Sequence, residues 1–269
     1  MSFETVTAPT GVVWRRSSLL RTAGVPHAFS TRLGGVSPAP FDSLNLGLAD
    51  APGEPDLWPR VQENWRLFLE AAGLSGRTLV RARQVHGCTV LQADRQPDAV
   101  RTEPPFMDGD GLISGHPGHV LAVRVADCAP VLLVDPEAGL VAAVHAGWRG
   151  VVGEIVPRAV ADLAGRGARP ARMLAAVGAC IGAQAFQVGM EVVEAFRAVD
   201  LGLAIGPDPE PGRARADVRG ALEIQLRRAG LSAGHIDMDP GCTVADPTNL
   251  FSYRRDGSRS GRMACIIGL

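Results

Sequence analysis

The chain contains no lysine, because all 27 of its basic residues are arginine. An enzyme that forms a lysine Schiff base, or that uses the lysine of a P-loop, is therefore excluded. No apolar run approaches the roughly 20 residues that a membrane-spanning helix needs. Hydrophobic residues make up 46% of the 269 residues and the mean hydropathy is +0.10, which excludes a disordered chain. We expect a soluble globular protein.

The sequence also lacks an excess of charge and a basic-then-apolar leader. The formal net charge is −1, whereas a nucleic-acid binder needs positive charge collected on one face. The first 16 residues do not have the order of a secretory signal, so we expect a cytoplasmic protein with reduced thiols. These absences favour a protein that acts on small molecules.

Cysteines are few and widely spaced. There are five, an odd number, and no two of them form a C-x-x-C pair. Neither a disulfide framework nor a zinc ribbon is supported by this spacing.

The chain shows no boundary between domains. It has no repeat of 20 to 50 residues and no long Gly/Ser or charged tract, so we predict a single domain over residues 1–269. Residues 206–215 contain three prolines and two glycines, which predicts a mobile surface loop.

A hairpin is predicted at the centre of the sequence. The apolar segments 131–134 and 140–144 are joined by a turn at 135–139. Continuously apolar strands are covered on both faces of a sheet. Folding the chain about this turn brings Cys128 opposite the region of His145, so we expect the two side chains to meet at one end of the sheet.

The other predicted elements favour an α+β fold with a layered, mixed arrangement over a Rossmann sheet, because strands outnumber β-α-β alternations. In chain order they are a strand at 120–126, helices at 148–164, 190–199 and 217–229, and a final buried strand at 262–269. Pro157 is expected to kink the first of these helices.

Three polar residues end hydrophobic stretches beside glycine or proline: His86 in QVHG, Cys128 in ADCAP and His145 in VHAGWRG. Imidazole and thiolate are good ligands for zinc or copper, and three protein ligands leave a fourth position open for catalysis. A second interpretation is a metal-free cysteine hydrolase, with Cys128 as nucleophile, one of the histidines as base, and Asp127 orienting an imidazole. A third is a binding protein in which a structural metal has a fourth protein ligand.

Other residues could bind an anion. Arg32 with Gly34 and Gly35, in FSTRLGGVS, could wrap a phosphate or a carboxylate, or form a glycine turn with a surface arginine. Asn45 in SLNLG could bond a substrate or cap a turn, and Arg149 could bind a second anion or pack on Trp148.

The ordered motifs resemble the YfiH family, also called the laccase-domain or multicopper polyphenol oxidase family. They are FSTRLGGVS, SLNLG, QVHG, DGDGLIS, VADCAPVLLVDP, VHAGWRG, ACIGAQAFQVG, FSYRRDG and SGRMACIIGL, from residue 29 to residue 269. The resemblance implies one α/β/β/α layered domain with mixed sheets, related in topology to the cysteine-dependent deamidase domain of a bacterial toxin. It also implies a metal, usually zinc, held by His86, Cys128 and His145.

The resemblance further implies enzymes that phosphorolyse adenosine, inosine and methylthioadenosine and that deaminate adenosine. Other members are linked to editing of peptidoglycan precursors or were described as phenol oxidases. A multicopper oxidase needs many histidine ligands, but this chain has six histidines and no H-x-H pair.

We therefore predict a metal-dependent purine nucleoside phosphorylase with adenosine deaminase activity. The alternatives are a Cys-His hydrolase that edits a peptidoglycan precursor and, less favoured, a copper phenol oxidase. The expected cofactor is zinc, with copper as the alternative. The expected partners are a purine nucleoside and phosphate, with no nucleic acid and no membrane, in a monomer or homodimer.

Overall fold

The computed structural model describes residues 3–47, 56–96 and 106–269, so residues 1–2, 48–55 and 97–105 of the domain predicted over 1–269 lie outside the described residues. The strands are β1 (Phe3–Thr7), β2 (Val13–Ser17), β3 (His27–Ser30), β4 (Thr78–Val80), β5 (Val90–Gln92), β6 (Gly111–Ser114), β7 (His119–Val125), β8 (Ala129–Asp135), β9 (Leu140–Ala146), β10 (Leu174–Val177), β11 (Gln187–Gly189), β12 (Ile205–Pro207), β13 (Arg213–Ala216), β14 (Ile236–Met238) and β15 (Met263–Gly268). The α-helices are α1 (Ser18–Thr22), α2 (Trp58–Ala71), α3 (Trp148–Val152), α4 (Ile155–Ala164), α5 (Met190–Ala198), α6 (Val218–Arg228) and α7 (Tyr253–Asp256). None of these helices combines the length and apolar character needed to cross a membrane.

Two six-stranded sheets pack face to face. The first has the order β1-β2-β3-β15-β7-β4 and the second the order β14-β10-β8-β9-β6-β5, and both mix parallel and antiparallel pairs. Helix α2 covers the outer face of the first sheet, and α3 to α6 cover the outer face of the second. The predicted α+β fold with α/β/β/α layers is confirmed.

Strand β7 shows why apolar runs form the centre of these layers. Val120 and Ala122 pack in the cluster that contains α2, whereas Leu121 and Val123 pack in the cluster between the two sheets. Successive side chains of a strand point to opposite faces, so the part of β7 that is covered on both sides, residues 120–123, is apolar at every position.

The predicted hairpin is confirmed, because β8 and β9 pair antiparallel from Ala129 opposite Ala146 to Asp135 opposite Leu140. Pro130 lies opposite His145, which puts Cys128 and His145 at the same end of the second sheet. The hairpin, which the local sequence predicts, thus brings two of the three candidate ligands together.

The helix predicted over 148–164 is two helices. The chain turns between α3 and α4 at Gly153 and Glu154, and Glu154 has a left-handed φ of 59°. The expectation that Pro157 kinks a long helix is wrong, because Pro157 lies in the first turn of α4. There its missing N–H would have had no partner within the helix.

Half of the segment predicted as a mobile loop, 206–215, belongs to a third, three-stranded sheet of order β11-β13-β12. Its two ends lie in β12 and β13, which pair antiparallel with Gly206 opposite Arg215, and a turn at 208–212 joins them. The Arg215 guanidinium forms an ion pair with Asp208 across that turn. Prolines at 209 and 211 need no ladder hydrogen bond because they lie in the turn.

Substitution of Gly178 tests the contact between the sheets. An added Cβ would lie 2.4 Å from Cδ1 of Phe29 in the first sheet and 2.8 Å from Cγ of Pro130 in the second. We expect Gly178→Ala to lower the free energy of unfolding in urea by about 1–3 kcal/mol, the usual effect of overpacking. Gly206→Ala is the matched control, because a Cβ there meets nothing within 4 Å. Equal losses of unfolding free energy in the two variants would contradict a close contact between the sheets at Gly178.

Candidate metal centre

The structure brings together the three ligands that the sequence predicts. One nitrogen of His86, the Sγ of Cys128 and one nitrogen of His145 all lie within 4.8 Å of one another. The two imidazole rings meet edge to face with centroids 4.9 Å apart. Cys128 and His145 come from the ends of β8 and β9, as predicted, and His86 reaches them from the loop between β4 and β5.

Cys128 follows the point where the chain crosses between the sheets. β7 of the first sheet ends at Val125 and β8 of the second begins at Ala129. Asp127 has a φ of 90°, and its carboxylate accepts hydrogen bonds from the Thr243 hydroxyl and from the backbone N–H of Arg254, both at 2.5 Å. These two bonds hold the crossover in place, and the described hydrogen bonds do not support the predicted role of Asp127 in orienting an imidazole.

Asp110 is a functional residue that the sequence reasoning missed. Its buried carboxylate accepts from Nδ1 of His145 at 2.8 Å and from the backbone N–H groups of Val85, His86 and Gly87 at 3.2, 3.0 and 2.8 Å. These three N–H groups converge because His86 has a left-handed φ of 60°. The bond to Nδ1 leaves Nε2 of His145 for a metal.

One sequence feature could have indicated that Asp110 is functional. It belongs to the DGDGLIS motif and immediately precedes β6, but nothing local identifies its partner 35 residues away.

The donor set fits a catalytic zinc site. Two imidazoles and one thiolate are ligands that zinc prefers, and the described residues place no fourth histidine, cysteine or carboxylate in the group. Gly147 also leaves the space that the ligands need, since a Cβ there would lie 2.9 Å from Sγ of Cys128. The interpretation of a closed, structural metal requires a fourth protein ligand and gains no support.

Without a metal, Cys128 and His145 form a charge pair. Burial alone would raise the pKa of the Cys128 thiol, but the charges and hydrogen bonds of His145 and His86 outweigh it and lower the pKa to about 6. Burial would lower the pKa of His145, but Cys128 and Asp110 raise it to about 9. Burial likewise opposes ionisation of Asp110, yet its bonds to His145 and to the backbone hold its pKa below the ordinary value.

A cavity of about 710 Å³ opens beside the ligands. Three aromatic rings line it, those of Trp148, Phe186 and Tyr253. Four arginines line it too, and three of them lie over these rings: Arg149 over Trp148 at 4.4 Å, Arg254 over Phe186 at 5.3 Å and Arg262 over Tyr253 at 5.6 Å; the fourth is Arg124. Of the predicted anion-binding residues, Arg149 is at the cavity.

The predicted anion turn lies elsewhere. The Arg32 guanidinium donates to the Asp42 side chain and backbone and to the carbonyl of Pro247, and it lies 4.5 Å from the ring centre of Phe251. The backbone N–H groups of Gly34 and Gly35 both donate to the Ser43 hydroxyl at 3.0 Å. A role for these three residues in binding phosphate stays a prediction that the described geometry does not support.

Asn45 is also away from the cavity surface. It is fully buried, donates to Asp56 and accepts at Oδ1 from the backbone N–H groups of Gly47 and Arg262. Of the two roles that the sequence left open, the observed one is capping a turn, through the bond from the Gly47 N–H to Oδ1. Direct binding of a substrate by Asn45 stays a prediction.

Enzymes typically have a metal-type ligand set with an open position at the wall of a cavity, and aromatic and cationic groups line the cavity here. The chain belongs to the family described as multi-copper polyphenol oxidoreductase laccase, whose profile matches residues 26–269.

Relatives define the family further. A purine nucleoside phosphorylase of Deinococcus radiodurans is 40% identical over 245 residues, 91% of this chain and 89% of that protein. The adenosine deaminase RL5, from an unidentified prokaryote, is 37% identical over 88% of this chain and 91% of its own. The crystal structure of YfiH from Bacillus licheniformis superposes with a TM-score of 0.86 at 28% identity, covering 98% of both chains. The protein is an enzyme of the YfiH type.

Replacing Asp110 tests its support of the ligands. Asp110→Asn keeps the shape but loses the charge that orients His145 and the His86 loop, so we expect metal affinity to fall about 10- to 100-fold. Metal dissociation constants from competition with a chromogenic chelator measure the change. Asp108→Asn is the matched control, because Asp108 is exposed and pairs with Arg83. Equal affinities for the two variants would contradict the role of Asp110.

The thiolate of the metal-free protein is testable by alkylation. Iodoacetamide modification of Cys128, followed by peptide mass spectrometry across pH 5–9, should rise with a midpoint near pH 6, because its pKa is about 6. Cys180, whose burial raises its pKa to about 12, should stay unmodified in the same samples. In His145→Ala the midpoint should move upward. A wild-type midpoint near the ordinary thiol value of about 8.5 would contradict the charge pair.

Proposed function

We propose that this enzyme is a metal-dependent purine nucleoside phosphorylase that also deaminates adenosine. Its reaction would convert adenosine, inosine or methylthioadenosine and phosphate into the free base and the corresponding ribose 1-phosphate, which keeps the methylthio group when methylthioadenosine is the substrate. The observation that carries the proposal is the three-ligand group at the wall of a cavity lined by three aromatic rings and four arginines. The names of the Deinococcus radiodurans relative and of RL5 support both activities.

His86, Cys128 and His145 would hold the metal, for which zinc is proposed and copper is the alternative. When bound, the metal supplies Lewis-acid chemistry. Asp110 keeps both histidines in place through its hydrogen bonds.

The cavity suits the two substrates in different ways. Trp148, Phe186 and Tyr253 offer flat apolar surfaces against which a purine can stack. Arg149 offers charge for phosphate at the mouth. In phosphorolysis a phosphate oxygen bonds to C1′ of the ribose, the C–N glycosidic bond breaks, and the base leaves with its electron pair and takes up a proton. In deamination, water adds at C6 of adenine and ammonia leaves.

The alternative is a Cys-His hydrolase acting on a peptidoglycan precursor. It is favoured by the lowered pKa of Cys128 beside the raised pKa of His145, the pairing that activates a cysteine nucleophile. A copper phenol oxidase is less favoured, since the described residues hold a single metal-type group of three ligands.

The direct test is incubation of purified protein with adenosine and phosphate, followed by chromatography. Adenine, ribose 1-phosphate and inosine are expected, and complete removal of metal by a chelator should abolish all three. Products that persist without metal would contradict the metal dependence, and a wild type that forms none of the three products would contradict the proposed function.

Variants of the three proposed metal ligands test whether turnover depends on metal content. His86→Ala, Cys128→Ala and His145→Ala should each lower metal content and turnover together, because each removes one of three ligands. Cys88→Ala is the control for Cys128→Ala, since Cys88 is half-buried but is not in the ligand group. Metal-free variants with full activity would refute the proposed role of the metal.

A further inference from the structure

His86 is the ligand that the β8–β9 hairpin does not position. It follows β4 in a loop whose tip is not held by burial, because Val85 is 48% exposed and His86 is exposed as well. Packing stabilises an apolar side chain in proportion to the area that it removes from water. The position of this ligand therefore depends on hydrogen bonds.

One set of these hydrogen bonds ties the loop to the segment that leads into β6 of the second sheet. The Asp110 carboxylate accepts from the backbone N–H groups of residues 85–87. The chain just before the tip joins the same segment, since the N–H of Arg83 donates to the Met107 carbonyl at 2.8 Å and the N–H of Gly109 donates to the Arg83 carbonyl at 3.1 Å. These bonds hold the loop from the side of the second sheet.

The Gln84 side chain connects the loop to the first sheet. The parallel pairing of β4 with β7 ends at Val80, opposite Leu121. Beyond this point Nε2 of Gln84 donates to the Arg124 carbonyl at 2.7 Å, and Oε1 of Gln84 accepts from the Arg124 N–H at 2.9 Å. The side-chain amide therefore takes the place of a strand partner for Arg124 after the backbone of the loop has left the sheet.

Two bonds from one planar amide fix its orientation as well as its position. Both are made to the backbone of β7, which pairs with β15 from Val120 to Val125, so the anchor is a paired strand rather than another loop. Gln84 lies two residues before His86. The backbone of this ligand is therefore tied to the first sheet by Gln84 and to the second by Asp110.

We propose that Gln84 is a positioning residue of the metal centre. Its amide holds the loop where a nitrogen of His86 lies within 4.8 Å of Sγ of Cys128 and of a nitrogen of His145. Residues that orient metal ligands in this way contribute about 10- to 100-fold to metal affinity. Positioning of a ligand does not depend on which reaction is catalysed, whereas its effect on turnover rests on the proposed function.

Gln84→Met tests this role, because methionine has a similar length and shape but cannot form the two hydrogen bonds. We expect the Zn²⁺ dissociation constant, measured by competition with a chromogenic chelator, to rise about 10- to 100-fold. Gln84→Asn is one methylene too short to reach both groups and should also weaken Zn²⁺ binding. Excess Zn²⁺ should restore phosphorolysis in Gln84→Met, which keeps all three ligands, but not in His86→Ala.

A double-mutant cycle separates positioning from a general effect on stability. In a His86→Ala background, Gln84→Met should change the Zn²⁺ dissociation constant by less than about twofold, since the residue that it positions is gone. Gln225→Met is the matched control, because Gln225 is buried and donates to the Val151 carbonyl at 2.7 Å but is not in the ligand group. The ligand-field spectrum of bound Co²⁺ should shift in Gln84→Met and not in Gln225→Met.

The proposal is overturned if Gln84→Met binds Zn²⁺ as tightly as the wild type, if Gln225→Met weakens binding equally, or if Gln84→Met has its full effect in the His86→Ala background. Failure of both Gln84 variants to fold, checked by circular dichroism, would also overturn it, because a positioning role leaves the fold intact. If Gln84→Met weakens Zn²⁺ binding but the wild type shows no phosphorolysis, the positioning role stands and the proposed function fails.

Discussion

The site depends on the hydrogen bonds that the buried carboxylate of Asp110 accepts. A charge removed from water is costly unless it is fully hydrogen-bonded, and here three successive backbone N–H groups and one imidazole supply the bonds. The same carboxylate therefore fixes the left-handed backbone of His86 and the ring orientation of His145. The ligands are pre-organised by the protein, so binding of a metal need not also order the loop.

The second constraint is the crossing of the chain from one sheet to the other at residues 126–128. This crossing brings the ends of the two sheets to a common edge, where the cavity lies. The second sheet supplies Cys128 and His145, and the first supplies Arg124 and Arg262. Two of the metal ligands and two of the cavity arginines thus come from different layers, and Asp127 ties the crossing to Thr243 and to Arg254 of α7.

Sequence alone predicts what is local. The meeting of Cys128 and His145, which are 17 residues apart, follows from the hairpin between them, and apolar strands that need cover on both faces indicate a layered fold. The Arg32 turn has the residues of an anion cradle, but the Ser43 hydroxyl takes the two glycine N–H groups. Asp110 escapes prediction because its contact with His145 depends on strand pairing between distant segments, which no local pattern specifies.

The charge pair of Cys128 and His145 serves both enzyme interpretations, because a metal and a proton can occupy the same position between them. The ligand group therefore does not distinguish a phosphorylase from a cysteine hydrolase. Deamination and hydrolysis need only water as the second reactant, and neither requires a cluster of cations. Phosphorolysis brings an anion into the site, and the arginines that line the cavity in the described part of the chain suit that reactant.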